Sequence, residues 1–368
     1  MHLLTTTRDA ILAPLQSVAG IVEKRHTLPI LSNVLIEKHG EQLTMLATDI
    51  EIQIRTTTAG DLGGSDASLT VGARKLQDIL RALPDSAEVN LTLDDKRLTV
   101  KAGKSRFALQ TLPAADYPRM NLPEGEGTRF QVTQKTFKRL LAQVSYAMAQ
   151  QDIRYYLNGL LVIVDGGELR MVATDGHRLA YAAAPIEADL PRTEVILPRK
   201  TVMELARQLG DADDALEVVL AGNQSVFRFG PIELVSKLID GKFPDYERVI
   251  PQNHPTTITF DRAPLLSALS RVAILTSDKF RGVRLVLEDG LLRIVSSNNE
   301  QEEAQEELEI DYHGDALDIG FNVTYLLDVL NNVSHEQIEW HLADGNSSAL
   351  ITVPGNAHFK YVVMPMRI

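Results

Sequence analysis

Residues 151–181, QDIRYYLNGLLVIVDGGELRMVATDGHRLAY, contain the pattern that decides the fold of this chain. Runs of apolar residues predict one strand from Leu157 to Val164 and a second from Leu169 to Ala173. The residues between them, Asp165-Gly166-Gly167, predict a tight turn. A polar loop, Thr174 to Leu179, follows the second strand. The stretch therefore indicates antiparallel sheet with an exposed loop at its end.

Two other parts of the chain repeat this pattern of strand, loop and strand. They are residues 43–56, LTMLATDIEIQIRT, and residues 292–305, LRIVSSNNEQEEAQ. Each copy follows a short strand and a helix with apolar residues at three- and four-residue steps, and a second strand-helix unit comes after it. Lys75 and Lys200 occupy equivalent places 125 residues apart, so three copies of about 120 residues fill the 368-residue chain. Recurrence of this kind indicates architecture rather than an active site.

Linkers mark where one copy ends and the next begins. Residues 118–127 and 251–255 are rich in proline, glycine and polar side chains, which is typical of loops between domains. We therefore expect three domains, at residues 1–125, 126–252 and 253–368. The expected fold class is α+β, with each domain built from two βαβββ-like halves whose two helices form one layer against the sheets.

The composition excludes several classes of protein. The chain has no cysteine, which excludes disulfides, thiolate catalysis and cysteine-ligated zinc. No segment has the pattern of a signal peptide or the length of apolar sequence that a membrane span needs, so we expect a cytoplasmic protein with no membrane partner. The net charge of -12 argues, by itself, against nucleic acid as a partner.

The distribution of charge reverses that argument. The six predicted helices carry a net +9 and the rest of the chain -21, and five of the six are net positive. If the helices share one surface, that surface attracts a polyanion while the sheets outside repel it. The predicted helices span residues 8–25, 73–83, 135–150, 199–208, 262–275 and 323–332.

Charge also differs between the two ends of the chain. The hairpin near Lys101, Lys104 and Arg106 is basic, whereas the third copy has a run of glutamates from Glu300 to Glu307. Opposite charges suit head-to-tail association, which closes into a ring when the rotation permits. Six helices side by side enclose a hole of only about 9 Å, but twelve from two chains enclose about 28 Å. A DNA duplex on the order of 20 Å wide passes only through the larger hole, which predicts a dimeric ring with helices inside and sheets outside.

Four alternative interpretations belong to other functional classes. Asp175 and His177 could act as orienter and base, but no serine, cysteine or second histidine completes a nucleophile or metal site there. Residues 103–105, GKS, lack the earlier glycine of a phosphate-binding loop. A repeat scaffold that binds only proteins would leave the basic helices unexplained. A nuclease would need converging carboxylates, whereas the acidic clusters here are sequence neighbours: Asp211, Asp213, Asp214, Asp245 and Glu247.

Long motifs along the whole chain resemble those of the bacterial DNA polymerase III β subunit family, the sliding clamps. The resemblance implies a non-catalytic dimeric ring of six similar domains that encircles duplex DNA without sequence preference and has no cofactor. It also implies a clamp loader, the polymerase III α subunit, other polymerases and repair proteins as partners. The motifs are TLPIL at Thr27, LATD at Leu46, SRFALQTLPAADYP at Ser105, QDIRYYLNG at Gln151, ATDGHRLA at Ala173, KLIDGKFPDYERV at Lys237, KFRGVRL at Lys279, GFNVTYLLDVLN at Gly320 and YVVMPMRI at Tyr361.

The resemblance further implies a cleft between the second and third domains that binds short linear motifs of partner proteins. Its apolar residues, including methionines, would form an adaptable slot, and a few polar groups would orient the guest backbone. The implied residues are Leu157, Thr174, Gly176, His177, Arg178, Leu179, Pro244, Arg248, Val249, Asn322, Tyr325, Ser348, Val362, Met364, Pro365 and Met366.

Two features depart from the family's pattern. Residue 346 is Asn346, where the family's pocket is more often apolar, and the sixth helix lacks basic residues.

The same resemblance implies two further sets of residues. The implied DNA contacts are Arg25, Arg74, Gln151, Tyr155, Tyr156, Arg199, Lys200 and Arg207. The implied dimer contacts are Lys75, Lys104, Arg106, Phe107, Leu109, Ile274, Leu275, Glu300 and Glu303.

Overall fold

The computed structural model describes residues 1–23, 27–123, 127–277 and 280–368. In these four ranges the chain forms six α-helices and 22 β-strands, which confirms the expected α+β class. The helices are α1 Arg8–Ala19, α2 Ala73–Ala82, α3 Gln134–Val144, α4 Arg199–Gln208, α5 Arg262–Val272 and α6 Val323–Asn332.

The strands follow the repeated order that the sequence predicts. They are β1 His2–Thr7, β2 Asn33–His39, β3 Gln42–Thr48, β4 Ile52–Ala59, β5 Ala67–Gly72, β6 Glu88–Asp94, β7 Arg97–Ala102, β8 Ser105–Leu112, β9 Thr128–Thr133, β10 Gly159–Thr174, β11 Arg178–Pro198, β12 Ala215–Ala221, β13 Gln224–Phe229, β14 Ile232–Lys237, β15 Thr256–Asp261, β16 Gly282–Glu288, β17 Leu291–Ser297, β18 Glu303–Glu309, β19 Leu317–Asn322, β20 Gln337–Leu342, β21 Ala349–Val353 and β22 Asn356–Val363.

Three of the predicted helices extend at least three residues too far. The helix predicted over residues 8–25 ends at Ala19, before Gly20. The helices predicted over 135–150 and 262–275 end at Val144 and Val272, and each continues as a short 3-10 helix. Over its observed length α1 has one basic and one acidic residue, so it is neutral rather than positive. Helices α2 to α5 each keep a net positive charge.

The described residues form two compact units, and the first comprises Met1–Lys135 and Met203–Leu238. It holds an antiparallel 12-stranded sheet in the order β1-β6-β7-β8-β5-β2-β3-β4-β14-β13-β12-β9. Helix α1 packs against α2 and against β3 and β4 of this sheet. The packed face of α1 consists of Ile11, Leu15 and Val18, which recur at helical spacing and are fully buried.

The second unit comprises Thr136–Val202 and Ile239–Ile368. It contains a six-stranded sheet, β10-β11-β22-β21-β20-β15, and a four-stranded sheet, β18-β17-β16-β19. Trp340 lies in its core, with its ring edge-on to Phe260 at 5.4 Å and to Phe321 at 6.1 Å between ring centroids. Such aromatic contacts stabilise a core beyond the area they bury.

The turn predicted at Asp165-Gly166-Gly167 is wrong. Strand β10 runs through these residues and stays paired with β11, with Gly166 opposite Leu190 and an irregular register on either side. Gly166 has a φ of 58°, which a glycine adopts without strain in a β-bulge. The chain instead reverses at residues 175–177, so the loop that follows Thr174 is the hairpin turn. Leu157, predicted as the first strand residue, ends a short 3-10 helix.

Candidate functional site

The loop between β10 and β11 is held in one conformation by its own side chains. Oδ1 of Asp175 accepts hydrogen bonds from the backbone N–H groups of His177 at 2.9 Å and Arg178 at 3.1 Å. The Thr174 hydroxyl donates to the carbonyl oxygen of Arg178 at 2.6 Å and accepts from the N–H of Gly176. Aspartate and threonine form such local turns readily. These four hydrogen bonds therefore define the conformation of the loop.

A turn held by a side-chain oxygen also occurs in the other two copies of the repeat. Oδ1 of Asp49 accepts from the N–H groups of Glu51 at 2.9 Å and Ile52 at 2.8 Å, as Asp175 does in the second copy. In the third copy Oδ1 of Asn298 accepts from the N–H groups of Glu300 and Glu302, so the second bond is shifted by one residue. The first two copies therefore share the same hydrogen bonds, and the third has a related turn.

Arg178 links this loop to the rest of the second unit. Its side chain is 9% exposed and forms ion pairs with Asp175 and Asp328. It also donates to the carbonyl oxygen of Tyr146 at 2.6 Å, and its guanidinium lies 4.4 Å from the centre of the Tyr325 ring. Burial opposes the charge, but the neighbouring hydroxyl and carboxylate groups raise the pKa of Arg178. Arg178 therefore fixes the position of the loop relative to Tyr146, Tyr325 and Asp328.

The end of the chain is attached to the same loop. The N–H of Met364 donates to the carbonyl oxygen of His177 at 2.9 Å, and the N–H of Met366 donates to that of Gly320 at 2.8 Å. A Cβ at Gly320 would lie only 2.4 Å from the Met366 carbonyl oxygen, so the close approach requires glycine there. Residues 364–368 therefore lie against the unit.

An apolar surface lies where the loop and the chain end meet. Leu157, Leu179 and Val362 are buried in one hydrophobic cluster, and Leu179 lies directly opposite Val362 in the β11–β22 pairing. Two large apolar side chains near this cluster in sequence remain accessible: Val249, which precedes the cluster member Ile250, is 46% exposed, and Met364, two residues after Val362, is 48% exposed. Buried apolar residues below exposed methionine and valine form a surface suited to an apolar peptide side chain.

The remaining residues expected at the site have mostly structural contacts. Asn322 caps the N-terminus of α6 by accepting from the N–H of Thr324, and the carbonyl oxygen of Tyr325 accepts from the hydroxyl of Tyr361. The Ser348 carbonyl oxygen bonds the ring of His254. Pro244, Arg248, Pro365, Met366 and Asn346 are wholly or partly accessible.

The loop has no catalytic arrangement. Oδ1 of Asp175 bonds backbone N–H groups and Oδ2 accepts from Arg178, so this carboxylate orients the loop rather than the His177 ring. The clustered carboxylates Asp211, Asp213 and Asp214 lie exposed in the loop after α4, and Asp245 pairs with Arg248. Within the described ranges, no three histidine, aspartate or glutamate side chains converge where they could hold a metal ion.

Residues expected to contact DNA lie in both units. In the first unit, Arg74 and Arg207 line one cavity of about 330 Å³ together with Arg81. Arg81 was not among the DNA contacts expected from the sequence. Its position seven residues after Arg74 places it on the same helix face. Arg207 is paired with Glu204, and the Arg74 guanidinium donates to the carbonyl oxygen of Val22.

In the second unit, the loop before β10 carries the other expected DNA contacts. Tyr155 is exposed, Tyr156 is partly buried, and their rings meet edge to face with centroids 5.8 Å apart. Gln151 has a φ of 54°, and Arg199 and Lys200 begin α4. Arg25 lies outside the described residues.

The residues expected at a dimer contact lie on two strand edges and beside them. From Ser105 to Gln110, β8 pairs with β7 on one side, and among the described residues its pairing with β5 is confined to Thr111 and Leu112. Strand β18 is the outer strand of its four-stranded sheet. Ile274 is 76% exposed, which is unusual for a large apolar side chain. Leu275, Phe107 and Leu109 are partly buried, whereas Lys104, Arg106, Glu300 and Glu303 are exposed, and Lys75 lies in α2.

No helix in the described ranges is long and apolar enough to cross a membrane.

Comparison with known proteins covers the whole chain. Three family models match it in order: the N-terminal domain of the DNA polymerase III beta subunit over residues 1–123, its central domain over 131–245 and its C-terminal domain over 247–367. The beta sliding clamp of Pseudomonas aeruginosa is 48% identical over 372 residues, covering 100% of both chains. The beta sliding clamp of Escherichia coli K12 is 44% identical over 364 residues, covering 99% of each.

Solved structures give the same result. The crystal structure of the Pseudomonas aeruginosa DNA polymerase III subunit beta matches with a TM-score of 0.94, 48% identity and full coverage of both chains. The same organism's sliding clamp bound to griselimycin matches with a TM-score of 0.95 and 48% identity over the full length of both. The beta sliding clamp of Caulobacter crescentus, with polyethylene glycol at its putative beta-motif tethering region, matches with a TM-score of 0.94 and 40% identity, covering 100% of this chain and 99% of that one.

Proposed function

The chain belongs to the DNA polymerase III β subunit family, the bacterial sliding clamps, and from this premise we propose how it works. Two copies form a ring around duplex DNA, and the apolar surface at the chain end tethers the polymerase and other DNA-processing proteins. The family is one of non-catalytic processivity factors, so the chemistry belongs to the tethered partners. We place its domains at residues 1–125, 126–252 and 253–368 and its site of action in the cytoplasm.

The observation that carries the proposal is the junction between the loop and the chain end. The Met364–His177 hydrogen bond brings exposed methionine next to a rigid polar loop, above the buried residues Leu179 and Val362. A peptide that inserts apolar side chains would contact Met364 and Val249, while exposed backbone and His177 orient it. This is a binding surface for short linear motifs of the clamp loader, the polymerase α subunit and repair proteins.

Positive charge on the helices supports the DNA contact. Helices α2 to α5 are each net positive, although the chain as a whole carries -12. Arg74, Arg81 and Arg207 converge on one cavity of the first unit, and their guanidinium groups suit phosphate oxygens. Contacts to phosphates carry no sequence information, so binding is expected to be weak, sequence-independent and steeply dependent on salt.

Two unpaired strand edges support a head-to-tail dimer. Strand β8 carries Arg106 and follows Lys104, whereas β18 carries Glu303, and strand edges of opposite charge can join two sheets across an interface. A cavity of about 510 Å³ beside β8 is lined in part by Lys75 and Leu109. This cavity would accommodate the exposed Ile274 side chain of a second copy. Each ring then has two such interfaces.

Two measurements test the proposal. Light scattering should give a mass in solution of twice the 40.7 kDa chain. After loading, the protein should be retained on nicked circular DNA and slide off the ends of linear DNA. Equal retention on both, or a mass of one chain at micromolar concentration, would contradict a closed ring.

A further inference from the structure

A second concave surface lies on the same sheet as the proposed peptide-binding surface. It has a volume of about 290 Å³, and Arg170, Tyr181, Tyr246, Ile250 and Lys360 are among the residues that line it. We propose that this surface is a subsite that receives an acidic side chain flanking the bound linear motif, with Lys360 as its charged partner. The inference rests on the proposed function, because it extends the same peptide-binding surface.

The pairing of β11 with β22 makes the two surfaces continuous. Leu179 lies opposite Val362, and two residues further along the strands Tyr181 lies opposite Lys360. Residues two apart on a strand point to the same face, about 7 Å from each other. Tyr181 and Lys360 therefore extend the face that Leu179 and Val362 begin.

The other side of the concave surface also connects with the proposed peptide-binding surface. Tyr246 opens a short 3-10 helix that ends at Arg248, next to the exposed Val249. The rings of Tyr181 and Tyr246 stack with centroids 6.0 Å apart and an angle of 28° between their planes. Tyr246 belongs to the hydrophobic cluster that contains Leu179, and Tyr181 packs against it. A peptide lying on the exposed Val249 thus reaches the tyrosine pair without leaving the surface.

The charges lining the subsite favour an acidic guest. Arg170 is already bonded to Glu168, and the Glu247 carboxylate accepts from the hydroxyl of Tyr246. Across the described part of the chain, no carboxylate is ion-paired with Lys360. Its Nζ instead lies 5.4 Å from the centre of the Tyr181 ring. The aromatic face holds the ammonium in place, and its N–H groups remain available to a carboxylate.

The test compares two peptides that share one motif and differ only in the residues that flank it. A fluorescein-labelled peptide containing the clamp-binding motif of a bacterial replicative polymerase is made with glutamates on both flanks, and a second with glutamines instead. The full-length protein should bind the glutamate peptide about three- to tenfold more tightly at low salt, and high salt should reduce the difference. Lys360→Ala should remove that preference and leave the affinity for the glutamine peptide unchanged.

Three variants control for other effects. Lys360→Met keeps the apolar stem and should behave like Lys360→Ala, whereas Lys360→Arg keeps the charge and should retain the preference. Lys96→Ala, at an exposed lysine in the turn between β6 and β7, should change nothing. Equal binding of both peptides by the unmodified protein, or a preference that survives Lys360→Ala, would overturn the subsite alone. If neither peptide binds the unmodified protein, the proposed function fails together with the subsite.

Discussion

The N–H of Met364 donates to the carbonyl oxygen of His177 at 2.9 Å, although the two residues come from separate segments of the second unit's sequence. This bond places an exposed side chain of the chain terminus on a loop that is fixed by Asp175 and Thr174. The two parts of the binding surface therefore form one structure. A change in the loop should alter the position of the terminus as well.

Replacing Met364 by alanine should weaken binding of a partner peptide by about 1 to 3 kcal/mol while the free energy of unfolding hardly changes. The side chain is 48% exposed, so it supplies contact area to a ligand and little to the core. Fluorescence polarisation gives the affinity and urea unfolding gives the stability. Met203→Ala removes a methionine that is 50% exposed on α4, and it should leave peptide binding unchanged. Equal losses for both variants would argue against a specific site.

Replacing Arg178 by alanine should, unlike the change at Met364, clearly lower the free energy of unfolding. Its removal leaves Asp175 and Asp328 without their common partner and the Tyr146 carbonyl oxygen without its donor, which should destabilise the second unit by about 3 to 5 kcal/mol. Arg248→Ala is the matched control, because that side chain is 86% exposed and its pair with Asp245 should contribute less than about 1 kcal/mol. Urea unfolding distinguishes the two. Similar stability of both variants would contradict the role assigned to Arg178.

Gly176 is required by its backbone conformation, and the Arg154 side chain would have to shift to admit a larger residue. Its φ is 92°, and a Cβ there would lie 3.1 Å from the Arg154 guanidinium. Gly176→Ala should therefore cost on the order of 2 kcal/mol and weaken peptide binding. Gly222→Ala isolates the backbone contribution, since its φ is 56° but the space around it is open, and it should cost about 1 kcal/mol with normal peptide binding. Equal effects of the two substitutions on binding would show that the loop does not shape the site.

The sequence predicts the secondary structure well where periodicity is the dominant signal. All six helices form, because apolar residues such as Ile11, Leu15 and Val18 recur at helical spacing. It fails at Asp165-Gly166-Gly167, where local residue types favour a turn. A long partner strand keeps β10 extended there by hydrogen bonds that no local pattern reveals.

The candidate site also has one part that the sequence predicts and another that it does not. The loop at Thr174 and Asp175 is predictable, because side-chain hydrogen bonds within a few residues determine it. The role of Arg178 is not, since Asp328 and Tyr146 come from distant parts of the sequence. The pairing of Tyr181 with Lys360 likewise depends on the register between β11 and β22. Long-range register is set by tertiary packing rather than by local composition.

Two histidines of the second unit should titrate in opposite directions. Burial lowers the pKa of His341 below its usual 6.5, and the nearby His254 acts in the same direction, against Glu339. The ring bonds the hydroxyls of Thr257 and Thr352. In contrast, the hydrogen bond to Asp289 raises the pKa of the exposed His313 above 6.5. Histidine ring chemical shifts in an NMR titration should resolve the two directly.

The lowered pKa of His341 makes stability depend on pH with a definite sign. The neutral ring is favoured in the folded state, so its contribution is complete above the unfolded pKa of 6.5 and is lost as the pH falls through the lower folded pKa. His341→Gln keeps hydrogen bonding to both threonines but cannot titrate. The variant should therefore lose less stability than the unmodified protein when urea unfolding is compared between about pH 7.5 and about pH 5. His313→Gln should act in the opposite direction and lose more stability than the unmodified protein over this interval, because the stability linked to a raised pKa is complete below 6.5 and is lost as the pH rises. An unchanged pH dependence in His341→Gln would show that this ring does not link protonation to unfolding.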